Sequence, residues 1–427
     1  MISLDKLTEI NHWWKTGNIN KELSQEYKRN LFFDIKEYIK LRQIIAIVGL
    51  RRTGKTTIFY QIIEKLINEK IDTKNILYFS FDETVEDIRD IITAYQENIL
   101  KKDLRTEKIF IFLDEIQKLE DWQNKIKIYY DLYPKIKFFI SGSASLNILI
   151  KAKESLAGRI FYFNLEVLSF EEFLNLKGQD IKKIEENVDL WKLELNIELN
   201  NYLLKPFPEI VNVNDEIAKR YIRESVIEKA IFRDLNSLFE IKDIELIEKI
   251  IHILANKPGM IVNLEDLARD LNRTRQIISN YFYYLECCFI VKSLRNFRGS
   301  YRVSSRKLKK YYLTHPCISL ALASQEKSRL IESLVQFKTK ADYFWRKNDK
   351  EVDFIILKDK EILPIEVKES TEITKKELRH LIFFMKKFSL IKSILIYNGE
   401  EEDLVINNYI IKKIPLWKFC ILKDYDQ

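Results

Sequence analysis

The residue types with the clearest chemistry lie between positions 49 and 57. Gly49, Leu50, Arg51, Arg52, Thr53, Gly54, Lys55 and Thr56 fit GxxxxGK[ST] without a mismatch, and Thr57 follows. Each position answers a demand of a bound polyphosphate. The glycines permit backbone angles and a close approach that a Cβ would block. The loop amides and the start of the next helix then cradle phosphate oxygens. Lys55 would reach the β- and γ-phosphates, and the Thr56 hydroxyl would ligate Mg²⁺. The chemistry implied is binding of ATP or GTP.

Two more polar clusters end apolar runs in the order this chemistry needs. The run from Ile109 to Leu113 delivers Asp114 and Glu115. Asp114 would hold the Mg²⁺ shell, and Glu115 would orient and polarise the attacking water. The run from Lys137 to Ile140 delivers Ser141, a hydroxyl where a γ-phosphate could be sensed.

A second set of acids sits far downstream. Glu351 and Asp353 precede a turn at Asp359 and Lys360; Glu366 and Lys368 follow it. With a two-residue turn, Asp353 lies opposite Glu366 and Glu351 opposite Lys368, all on one face of a hairpin. Facing carboxylates repel, so something must offset the cost. A divalent metal together with Lys368 would do so, with the metal activating a water for phosphodiester attack.

The elements that must position these groups are legible in outline. Apolar runs alternating with helical periods across 41–170 spell a parallel α/β sheet, whose ligands bind at the strand C-termini. Residues 1–40 read as a helical lead-in, and 171–243 as a charged helical lid. Across 244–315 a winged helix is expected. Ile247, Ile250, Ile251 and Leu254 form one helix face, Asn263 caps a second helix, and a third buries Ile278, Tyr281, Phe282 and Leu285. That leaves Arg275, Gln276 and Ser279 outward, as a recognition helix needs. From Cys287 to Gln325 no acidic residue occurs, while Lys292, Arg295, Arg298, Arg302, Arg306, Lys307, Lys309 and Lys310 interleave with aromatics. Such a stretch suits phosphate contact and base stacking, so DNA is an expected partner. A packing module for protein contacts is the alternative.

The motifs GLRRTGKTT, FIFLDEIQ, FFISGSAS, SLAGRIFYF and LSFEEFL resemble a prokaryotic family of AAA+-type P-loop ATPases. That resemblance implies ATP with Mg²⁺ as cofactors and leaves room for a homo-oligomer. It also implies that Arg159 closes the ATPase core, either as an arginine finger or in a structural ion pair. The Asp…Glu-x-Lys pattern is similar to the PD-(D/E)XK nucleases, so 316–427 is expected to be a nuclease-like α/β domain. The same resemblance makes Glu332 an upstream acidic ligand. It would join Asp353 and Glu366 around a second divalent metal, with Lys368 as a catalytic partner.

Composition bounds the rest. At 427 residues the chain is too long for one core. No apolar run approaches the ~18 residues of a membrane span. The start lacks a signal-peptide pattern. Four cysteines form neither a CxxC pair nor a metal spacing, which suits buried thiols in a reducing cytoplasm.

Overall fold

The computed structural model describes residues 4–83, 87–143, 156–239, 241–298, 308–323, 326–358 and 361–422. The turn residues Asp359 and Lys360, and the basic residues Arg302, Arg306 and Lys307, lie outside that set. The chain divides into two compact units. One comprises Met1–Val167, Arg233–Glu240 and Cys287–Phe289; the other comprises Leu168–Phe232, Ile241–Glu286 and Ile290–Gln427.

The first unit is built on β1 (Ile44–Val48), β2 (Ile76–Ser80), β3 (Ile109–Asp114), β4 (Ile136–Gly142) and β5 (Ile160–Asn164). All are parallel, in the order β2-β3-β4-β1-β5. Their near-continuous apolar sequences follow from burial on both faces. Period-two alternation splits them cleanly. Ala46, Leu77, Phe79, Ile111, Leu113 and Phe138 pack in one cluster. Ile45, Ile47, Tyr78, Phe110, Phe112 and Phe139 pack in another. Before the sheet, Trp13 and Trp14 both donate their indole N–H to the Ile76 carbonyl, pinning the lead-in helices to the start of β2.

In the second unit, β6 (Met260–Val262), β7 (Val291–Asn296), β8 (Lys309–Leu313) and β9 (Tyr343–Lys347) are followed by β10 (Lys350–Lys358) and β11 (Glu361–Val367). Then come β12 (Lys392–Tyr397), β13 (Glu402–Ile406) and β14 (Tyr409–Pro415). They form one mixed sheet, β13-β14-β12-β11-β10-β9-β7-β8-β6. Helix Ile244–Asn256 precedes β6, and helices Leu264–Asp270 and Arg275–Cys287 run in succession between β6 and β7. Asn263 caps the helix Leu264–Asp270 through Glu265 N (3.0 Å). Arg275 and Gln276 are exposed and Ile278, Phe282 and Leu285 buried, as the periodicity predicts.

Two expected boundaries are redrawn. β7 and β8 are joined to the C-terminal strands by a parallel β7–β9 pairing (Arg295↔Tyr343, Asn296↔Phe344), so the division at 315/316 falls inside one sheet. The helical region does not stand as a separate lid. Phe170, Phe173, Leu199 and Tyr202 share a core with Phe354, Ile365, Ile394 and Trp417 of the C-terminal sheet. Its apolar residues had no periodic partner of their own in the sequence, and burial against that sheet supplies one. Among the described residues no helix is long and apolar enough to cross a membrane.

Candidate functional site

The nucleotide site assembles where β1, β3 and β4 end. Gly49 has φ +153°, and a Cβ there would come within 2.1 Å of the Leu165 carbonyl oxygen, so no side chain fits. Gly54 (φ +98°) opens the helix Lys55–Asn68. The Lys55 ammonium is buried and donates to the Gly49 and Leu50 carbonyls, both at 3.0 Å. Burial lowers its pKa, while the carboxylates of Glu115 and Asp114 oppose that shift.

Asp114 is the hub. Its Oδ2 accepts from Thr56 Oγ1 (2.5 Å) and from the Tyr78 hydroxyl (3.1 Å), and its Oδ1 accepts from the Ser141 hydroxyl and from Glu115 N (3.0 Å). Because β4 lies between β1 and β3, Ser141 reaches Asp114 from the neighbouring strand. Glu115 adopts a left-handed backbone (φ 54°), and its Oε2 accepts from Gln117 Nε2 at 2.5 Å. Burial raises the Glu115 pKa; Asp114 and Asp234 add to the rise, and Lys55 and Arg51 work against it. A carboxylate so tuned suits a general base.

The residues present fit MgATP. The partners of Asp114 are neutral hydroxyls and an amide, which a cation can join or replace. Thr56 and Asp114 would hold the metal, and the loop from Gly49 to Thr57 the phosphates. When bound, Mg²⁺ would neutralise charge developing on the phosphoryl oxygens.

Sequence reasoning missed three groups here. Tyr78 and Gln117 touch the two acids, but an aromatic at a strand centre and a glutamine after it carry no distinguishing pattern. Asp234 returns to the P-loop and takes Arg51 in a two-point ion pair, Nε–Oδ2 2.6 Å and Nη2–Oδ1 2.5 Å. The Phe232-Arg233-Asp234 step was the available signal. Arg52 has a left-handed backbone (φ 64°).

For Arg159 a finger and a structural ion pair are both expected, and within this chain the ion pair is what forms. Arg159 precedes β5, whose Ile160 pairs with Ile44 at the start of β1, so it sits at the sheet edge opposite the P-loop. Five strand residues at ~3.3 Å each separate the two edges, more than an arginine side chain spans. Within its own chain Arg159 cannot be a finger. It pairs with Asp131 instead (3.2 Å).

The C-terminal acids form the second centre. The β10–β11 register runs Lys358↔Glu361 to Phe354↔Ile365, which brings Asp353 and Glu366 side by side at its end. Asp353 Oδ2 accepts from Val367 N (3.0 Å), and Glu366 Oε1 from Lys368 Nζ (2.5 Å). Glu332, on the helix Lys327–Thr339, accepts from the Tyr312 hydroxyl at 2.5 Å. Burial and then Asp353 push the Glu366 pKa up to about 8.

Between these acids stands a cation that the sequence reading assigned to DNA. Lys310 Nζ lies 2.6 Å from Glu332, 2.9 Å from Glu351 and 3.5 Å from Asp353. Burial alone would depress its pKa; Glu332 above all, with Asp353 and Glu351, holds it well above the ordinary value. Among the described residues no group of three or more His, Cys, Asp or Glu is arranged to hold a metal ion. Glu332, Asp353 and Glu366, expected as a ligand set with Lys368 as catalytic partner, come together in this one centre. The acids gather, but an ammonium occupies their common ground. Period-two alternation places Lys310 on the face opposite Lys309 and Tyr311, so its inward direction was readable; its partners were not.

Comparison with known proteins agrees with the nucleotide site. Residues 41–174 match the model of an AAA domain (AAA_14). Residues 198–329 and 329–419 match two domains of unknown function, DUF8612 and DUF4143. The chain thus carries an AAA-type P-loop domain followed by a helical region and a mixed-sheet domain. It is 28% identical to "Uncharacterized protein MJ1544" of Methanocaldococcus jannaschii over 91% of this chain and 90% of that one. To MJ1637 of the same organism it is 29% identical over 65% of this chain and 63% of the other. An uncharacterized protein of Haemophilus influenzae is 25% identical over 88% and 94%. A solved structure of C. elegans PCH-2 matches 44% of this chain and 46% of its own, at 13% identity and a TM-score of 0.23.

Proposed function

We propose that this protein hydrolyses ATP with Mg²⁺, and that its winged helix contacts nucleic acid under control of that site. The observation carrying the first part is Asp114, held by Thr56, Ser141 and Tyr78 beside a Glu115 whose pKa is raised. Lys55 and the loop amides bind and orient the phosphates, Arg51 is fixed by Asp234, and Glu115 takes the proton of the attacking water. Lys55→Ala abolishes nucleotide binding. Glu115→Gln still binds ATP but turns over at least ~100-fold more slowly, as loss of a general base implies. Single-turnover hydrolysis is the measurement, and wild-type rates in Glu115→Gln would sink the assignment.

The nucleic-acid part rests on the exposed Arg275, Arg295 and Arg298 of the recognition helix and wing. Replacing all three by glutamine weakens DNA binding and flattens its salt slope by about 3 if each touches a phosphate. An unchanged slope moves the contact elsewhere. The rival reading is a nucleotide-controlled switch that captures a protein partner through the same face, and salt-insensitive capture favours it. Metal-dependent cleavage by the C-terminal domain is not part of this proposal, because Lys310 fills the carboxylate set.

A further inference from the structure

The carboxylate centre of the second unit has the acids of a metal site and a different occupant. Glu332 comes from a helix, Glu351 and Asp353 from β10, and Glu366 from β11. Each could serve a divalent ion. Yet Lys310, 4% exposed, has its ammonium within 3.5 Å of three of them. The remaining acid, Glu366, is held by Lys368. Arg346 adds a further contact to Glu351 at 3.5 Å.

We propose that Lys310 is a built-in counter-ion standing where a divalent cation would stand, and that the centre is complete without metal. An ammonium donates three hydrogen bonds, and three carboxylates surround this one. A divalent ion entering the same space would meet that charge at short range and would have to expel a buried ammonium from its partners. Sequence position explains what the arrangement accomplishes. Lys310 belongs to β8, a wing strand, whereas its partners belong to the C-terminal helix and hairpin. Among the described residues two β7–β9 pairs join the wing to that part of the sheet, supported by the Lys292–Asp342 ion pair and by hydrogen bonds between the Asn296 side chain and the Arg346 backbone. The ion cluster, with the Tyr312 hydroxyl on Glu332, adds a buried side-chain fastening from β8 to the helix and hairpin. These acids, bound to Lys310, hold the wing in register with the hairpin.

This inference is independent of the ATPase reading, and its test is run without nucleotide. The probe is Mn²⁺ alone, added to the full chain carrying Lys55→Ala so that the P-loop contributes least. Calorimetric titration and melting temperature are recorded for that chain, for the same chain with Asp353→Asn, and with Lys310→Ala. With Lys310 present, Mn²⁺ gives no rise in melting temperature that Asp353→Asn removes. With Lys310→Ala, Mn²⁺ raises it by about 2 °C or more, and Asp353→Asn cancels the rise. A rise sensitive to Asp353 while Lys310 is intact overturns the proposal, whatever happens to the variant. So does a folded Lys310→Ala chain that takes up no Mn²⁺. Should Lys310→Ala fold only when Mn²⁺ is supplied, the substitution of one cation by another is demonstrated directly.

Discussion

The two polar centres of this chain use the same materials to opposite ends. Each gathers carboxylates from several elements, with a buried lysine beside them. At the P-loop, Lys55 spends its hydrogen bonds on backbone carbonyls, and the hub acid Asp114 is attended by neutral hydroxyls. That leaves room for an incoming cation and anion. In the second centre Lys310 bonds to the acids themselves. The positive charge a ligand would bring is already present. What separates a working site from a filled one is the direction in which a lysine points, not the inventory of residue types.

The comparison can be broken by removing each lysine in turn. Lys310→Met leaves several buried acids uncompensated, and losing one partner of a buried ion pair costs about 3–5 kcal/mol. Lys55→Met gives up two hydrogen bonds to carbonyls and relieves a poorly solvated charge, so about 1 kcal/mol or less is expected. Denaturant unfolding, with hydrogen exchange of β8 and β10 amides resolving the second unit, measures both. Equal losses would show that Lys310 is no more committed to its partners than Lys55, and the contrast would fail.

Much of this was legible in the sequence. The P-loop, Asp114, Glu115 and Ser141 were readable because a parallel sheet forces its strand C-termini into one edge, so three apolar runs ending in polar groups specify one site. Hairpin parity likewise put Asp353 beside Glu366. What escaped were contacts between segments distant in the chain. Asp234 reaches Arg51 across 183 residues and Lys310 reaches Glu351 across 41. No local period encodes either. Lys310 was misread for a further reason. A basic run suggests one charged surface, yet alternate strand residues face opposite ways, so a run can hold both a surface and a core charge. Arg159 stayed open between finger and ion pair because a motif says which residue is present and not which edge of the sheet bears it.

The smallest expected effect tests how tightly the second centre is balanced. Glu366 has one carboxylate oxygen on Lys368, while its Oε2 is buried without a hydrogen-bond partner. Burial and then Asp353 raise its folded pKa to about 8, from an ordinary value of 4.5. The folded state therefore binds its proton more tightly than the unfolded chain does. The stability linked to that proton is fully present below pH ~4.5, and it is lost as pH rises through the folded value. Glu366→Gln carries a neutral amide at every pH and keeps a carbonyl to accept from Lys368. The variant should match the wild type near pH 5 and become the more stable chain by pH 9. Melting curves of the two chains across that range, read as their difference, cancel the other titrating groups. A flat difference would mean that Glu366 is already ionised at neutral pH, and that Lys368 with Lys310 compensates it fully.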